Sequence, residues 1–214
     1  LTDRLFAKLY EKFIEPFDAV DCGVERYDFI AVPRYAKPYD IFDMVSNLNP
    51  EWNAVGVDVD ERFEEAVALV GGAWDTTVEY YTDSWLAARQ IVRDSMDASR
   101  ADPSIPPRCL VLQKQCPWKE HLFELEADDG IAGHFLYAVY TDEQGGWRIQ
   151  AVPAALDSFE SRRALPEQWR GLRDAELDGV FGGASGAVFV HKTGFIGGHR
   201  ERQGVLEMAK LALE

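Results

Sequence analysis

The sequence predicts an α/β (α+β) protein in which a helical N-terminal segment precedes a mixed β-sheet domain flanked by helices. Apolar residues recur at three- and four-residue intervals through the first hundred positions, as on one face of a helix. After a proline-rich break the apolar residues gather into short branched and aromatic runs that alternate with further amphipathic stretches, the pattern of a sheet with flanking helices. With 214 residues, 47% of them hydrophobic and 12% aromatic, the chain can bury a sizeable core.

The first element is a helix from Leu5 to Phe17, with Thr2 as an N-cap before Leu5, Phe6, Leu9, Phe13 and Phe17. Helices follow at Phe63–Val70 and Trp74–Met96. The stretch DASRADPSIPPR, with three prolines between Asp97 and Arg108, divides a helical part, 1–100, from a sheet part, 109–214, with 101–108 as linker. Strands are expected at CLVLQ (109–113), HFLYAVY (134–140), WRIQAVP (147–153) and AVFVH (187–191), with TDEQGG as a hairpin loop. Helices are expected at PWKEHLFELE, PEQWRGLRDAELDGV and RERQGVLEMAKLALE.

Lys and Arg number 22 against 37 Asp and Glu, a net charge of −15. The averaged field repels nucleic acid, acidic metabolites and membrane phosphates, so a polyanion must be held locally, by a metal or a basic patch. Three cysteines, Cys22, Cys109 and Cys116, form no CxxC pair and suit a reducing, intracellular compartment. No apolar run approaches the roughly 20 residues that cross a bilayer, so no membrane partner is expected. The chain opens at Leu1 with a helical pattern at once, as a fragment of a longer chain does.

The densest chemistry lies in VFVHKTGFIGGHRERQGVLEMAK, read as a strand entering a glycine-rich turn and then a helix. Gly194, Gly197 and Gly198 let backbone approach a ligand, and the helix start offers unpaired N–H groups. His191, Lys192, His199, Arg200 and Arg202 surround the turn, so backbone and cationic side chains together suit a phosphate. A tight connection with solvated basic residues is the alternative. In SFESRRALPEQWRGLRD, Arg162, Arg163, Arg170 and Arg173 lie among Phe159 and Trp169, a composition that suits single-stranded nucleic acid or an ordinary helix start. Asp18 and Asp21 in FDAVDCGV offer carboxylates to Mg²⁺ or Mn²⁺, or simply end a helix at Gly23. The four histidines show no zinc spacing, and Cys116, before Pro117 and near His121, reads as structural rather than nucleophilic.

The runs NLNPEWN, SWLAARQIV, CPWKEHLFELE, WRIQAVP, SFESRRALPEQWRGLRD and VFVHKTGFIGGHRERQGVLEMAK, with FIEPFDAVDCGV near the start, resemble in this order the C-terminal portion of the melanocyte-proliferating-gene-one family. That resemblance implies a DHH-superfamily phosphoesterase: a hydrolase dependent on Mn²⁺ or Mg²⁺, acting in animals as a 3′-to-5′ RNA exonuclease of mitochondria and nucleus. It implies a sheet domain like the DHH-associated C-terminal domain. The family's main metal motifs, including the DHH triplet, do not occur in this chain. Its last acidic motif falls on Asp21, with Asp18 as rival, and its glycine loop on Gly197, Gly198 and His199; Ile196 stands where the loop's first glycine is expected. No catalytic residue is therefore expected in this chain. Gly197, Gly198, His199 and Arg200, with His191 and Lys192, are expected to hold phosphate, and Arg162 and Arg163 to steer a single strand. The rival readings are a small phosphometabolite hydrolase domain and a non-catalytic interaction or dimerisation module, for which the acidic helical half and Phe63–Val70 speak.

Overall fold

A computed structural model describes residues 2–24 and 40–214. The chain forms two compact units, Leu1–Leu86 and Ala87–Glu214. In the first, α1 (Thr2–Leu9) runs through a π-helical turn (Tyr10–Ile14) into α2 (Glu15–Asp21). Thr2, expected as a cap, is already helical. A short α3 (Ile41–Ser46) is closed by a capping box: Asp40 accepts from the Phe42 and Asp43 amides while the Asp43 carboxylate accepts from the Asp40 amide. α4 (Val59–Glu79) is capped by Asp58.

A second π-helical turn, Tyr80–Trp85, joins α4 to α5 (Leu86–Ala101), so all residues from 59 to 101 are helical. The break expected near Gly71 and Gly72 does not occur, because two glycines cost a helix about 1 kcal/mol each and twenty neighbours outweigh that. α5 belongs to the second unit, where Val92 and Met96 are buried. The proline-rich stretch after it is a turn inside that unit, leading to β1 (Cys109–Val111).

The second unit carries one five-stranded mixed sheet in the order β1-β2-β3-β5-β4, with β2 at Tyr137–Thr141, β3 at Trp147–Ala151, β4 at Ala187–Val190 and β5 at Ile196–His199. β1 lies parallel to β2; the other pairs are antiparallel. One face packs Ile149, Ala151 and Val190 with α7 (Asp174–Phe181) and α8 (Arg202–Leu213) through Leu177, Phe181, Val205 and Met208. On the other face Leu110, Leu112, Ala138 and Tyr140 meet α5 and α6 (Trp118–Asp128). Only a single 3₁₀ turn, Glu167–Trp169, precedes Gly171 and α7 where one long helix was expected, since Gly171 takes φ +82° and ends it.

Candidate phosphate-binding sheet face

IGGH was expected in a turn and is instead strand β5; the turn lies at Lys192–Gly194, where Gly194 takes φ +72°. Gly197 and Gly198 have extended backbone inside the sheet, and their role is close approach. A Cβ on Gly197 would meet the Phe189 carbonyl at 3.0 Å, and one on Gly198 would meet Arg148 Nη1 at 2.7 Å. Register explains the second contact. Arg148 pairs with Gly198 and Gly198 with Phe189, so these three share one face, with Gln150 and Ile196 beside them.

That face is covered by α5 and α6 over β1 and β2, but over β3, β5 and β4 it carries half-exposed Arg148 and Phe189. The Arg148 guanidinium lies 5.5 Å from the Phe189 ring centroid and pairs with Asp142. Arg173, bridged to Phe189 along the sheet edge, places its guanidinium 5.8 Å from the same ring. Exposed Arg200 reaches Asp174 at 3.9 Å, a weak contact between solvated groups. Asp174 itself has φ +44°, a left-handed conformation uncommon outside glycine and found disproportionately at ligand sites. The result is an aromatic ring with two arginines near it and a third arginine at the strand end.

His199 is fully buried. Its Nδ1 accepts from the Glu201 amide at 3.0 Å, which leaves the proton on Nε2 to donate to the Ala184 carbonyl at 3.1 Å. Its ring packs where a side chain on Gly204 would stand. His199 thus anchors the 182–186 loop to α8, together with Glu207, which accepts from the Ala184 amide, while Asp178 of α7 accepts from the Gly186 and Ala187 amides. α8 starts at Arg202 with Glu201 as its N-cap residue, whose side chain makes no capping hydrogen bond.

The remaining expected residues separate. Arg162 is almost buried: it pairs with the fully buried Glu126 at 2.7 Å, donates to the Phe135 carbonyl and stacks 4.3 Å over Phe123. Arg163 is exposed and donates to the Leu213 carbonyl at 3.0 Å. His191 and Lys192 are exposed in the β4–β5 turn, with His191 Nδ1 facing Thr193 and its ring against Phe195. Asp18 and Asp21 are exposed on α2, and among the described residues no group of three or more His, Cys, Asp or Glu gathers. Two carboxylates on one helix turn do not fit a two-metal centre. Burial raises the Cys116 thiol pKa, against a thiolate nucleophile.

Arg148, Phe189 and Asp174 were not foreseen. One signal was available: in WRIQA the polar Arg148 and Gln150 alternate with apolar neighbours, marking a strand with one polar face.

A family model described as "Uncharacterised protein family (UPF0160)" matches residues 1–213. The chain is 43% identical over 215 residues to the MYG1 exonuclease of Homo sapiens, covering all of this chain and 56% of that protein. It is 42% identical to the MYG1 exonuclease of Bos taurus, covering 55% of it. With the MYG1 protein of Saccharomyces cerevisiae it shares 38% identity over 99% of this chain and 64% of that one. The chain thus spans a little over half the length of the mammalian relatives. No solved structure matches. Among the described residues no helix is long and apolar enough to cross a membrane. A family model that matches residues 1–213 and 43% identity to a relative across the whole chain settle its membership: the chain belongs to the MYG1 family.

Proposed function

We propose that this chain is the substrate-holding part of a phosphodiester-cleaving exonuclease, and that its substrate is single-stranded RNA taken from the 3′ end. The observation that carries the reading is the open sheet face, where the Arg148 and Arg173 guanidinium groups both lie near the Phe189 ring and Arg200 stands at the strand end. A half-exposed ring offers an edge or face to a base, and guanidinium groups that are planar forks suit the phosphates beside it. Gly198 keeps the sheet bare, so that Arg148 lies flat on it. Gly197 shapes the opposite face, and His199 holds the loop and α8 behind it. Lys192 and His191 are solvated groups of the β4–β5 turn, Arg163 is held at the end of α8 by the Leu213 carbonyl, and the Arg162 guanidinium is engaged by Glu126.

The name exonuclease that the mammalian relatives bear supports nuclease chemistry. An open face rather than an enclosed pocket favours a strand over a small phosphometabolite; the two described cavities include none of Gly197, Gly198, His199 and Arg200. The DHH-type mechanism, its Mn²⁺ or Mg²⁺, and a mitochondrial or nuclear setting belong to the longer protein in this reading, with Asp21, or Asp18, contributing at most one carboxylate.

Binding of a labelled single-stranded RNA is the test. Arg173→Ala and Arg200→Ala, both exposed, are each expected to weaken affinity roughly tenfold without changing Tm. Unchanged affinity in both sinks the reading. Hydrolysis of RNA and of a dinucleotide with Mn²⁺, by this chain and by an N-terminally extended protein, then assigns the activity: cleavage by the extended form alone is expected.

A second reading has its own observation. On α4, Val59, Phe63 and Val67 are exposed at four-residue spacing, a stripe that suits a dimerisation or interaction surface. A strictly monomeric protein in sedimentation experiments counts against it.

A further inference from the structure

In the second unit, the end of α5, the turn at 102–108 and the loop before β2 enclose a cleft of about 380 Å³, within the range of small-molecule sites. None of its lining residues belongs to the sheet face. Its lining combines apolar Ile105, Pro106 and Phe135 with Arg100, Asp102, Arg108 and His134.

Arg108 sets this cleft apart. Its φ of +64° is left-handed, a conformation that strains a side-chain-bearing residue and persists where the surroundings over-determine it. Here its own guanidinium does so: Nε donates to the His134 carbonyl at 2.9 Å and Nη2 to the Gly133 carbonyl at 3.0 Å. Nη1 makes no hydrogen bond and no carboxylate pairs with the group among the described residues, in a chain whose acidic residues outnumber its basic ones by 37 to 22. Arg100, shared with Asp97 and Asp129, lies 5.9 Å over the Phe135 ring and lines the same cleft. Burial lowers the His134 pKa, and the positive charges of Arg100 and Arg108 lower it further against the opposing Glu126. The imidazole is therefore an uncharged neighbour of two fixed cations.

We propose that this cleft binds a small phosphomonoester with an apolar or planar body, the class of a 5′-nucleoside monophosphate. The phosphate meets the open Nη1 of Arg108, with Arg100 adding charge, and the body lies against Ile105 and Pro106. His134 donates or accepts beside it.

The test is titration of this chain with adenosine 5′-monophosphate, inorganic phosphate and adenosine, by calorimetry and by imidazole NMR of His134. Adenosine monophosphate is expected to bind more tightly than phosphate or adenosine, and to raise the His134 pKa. Arg108→Gly, which keeps the left-handed backbone without strain, is expected to weaken binding at least roughly tenfold, and Arg100→Gln by less. If either variant fails to fold, the His134 response of the unaltered chain decides. Absence of binding, an unmoved His134, or full affinity in Arg108→Gly overturns the proposal. Binding lost in Arg173→Ala but kept in Arg108→Gly also overturns it, and leaves the sheet-face reading standing; RNA binding lost in Arg173→Ala alone is expected if both sites exist.

Discussion

Asp178 shows how one side chain fixes a loop. Burial acts to raise its pKa, but the Ala187 and Gly186 amides and the Ser185 hydroxyl donate to it and outweigh burial, so the pKa lies below its ordinary 3.8. A depressed carboxylate contributes stability that is present above the unfolded pKa and lost as pH falls through the folded one. Thermal melts are expected to show the wild type more stable than Asp178→Asn at neutral pH, with the gap closing below about pH 4; a gap that persists in acid refutes the account. None of this was legible beforehand, because Asp178 sits in an ordinary amphipathic stretch and its partners are backbone groups eight and nine residues on. The same holds for His199, whose place beside two glycines suggests ligand contact while both its nitrogens serve the loop and α8. Arg162 misleads similarly: arginine beside arginine reads as a basic patch, yet Glu126, 36 positions earlier, takes the charge. A sequence shows the donors of such pairs and conceals their partners.

At the scale of elements, period and punctuation located nearly every strand and helix of the second unit. β1, β3 and β4 fall within the expected runs and β2 overruns its run by one residue, Thr141, since branched and aromatic residues bounded by Gly, Pro or Asp leave few alternatives. β5 escaped because two glycines in four residues carry no strand propensity; pairing with β3 and β4 supplies what propensity lacks. The converse happened at Gly71 and Gly72, read as a gap and found inside α4. A Cβ at either position meets nothing within 4 Å. Gly71→Ala and Gly72→Ala are therefore each expected to raise stability by about 0.5–1 kcal/mol, because alanine has less chain entropy to lose. Denaturant unfolding checks this, and a loss of stability in both would mean that the helix is interrupted there.

For the whole molecule, charge sets the terms on which the proposed substrate binds. A net charge of −15 repels RNA at distance, so association relies on the few cations of the sheet face rather than on a general field. Three of them, Arg148, Arg173 and Arg200, lie around Phe189 and Asp174, though Arg148 is partly neutralised by Asp142. Each phosphate neutralised contributes about −0.7 to the slope of log affinity against log salt for a single strand, so a slope of about −2 is expected. Arg173→Ala should make it shallower by about 0.7, while Phe189→Ala should weaken binding and leave the slope unchanged, since stacking releases no counterions. This pair of variants separates charge from stacking in a way that affinity alone does not. A steep slope insensitive to Arg173 would place the RNA on other cations, and a flat one would mean that the acidic surface keeps it away.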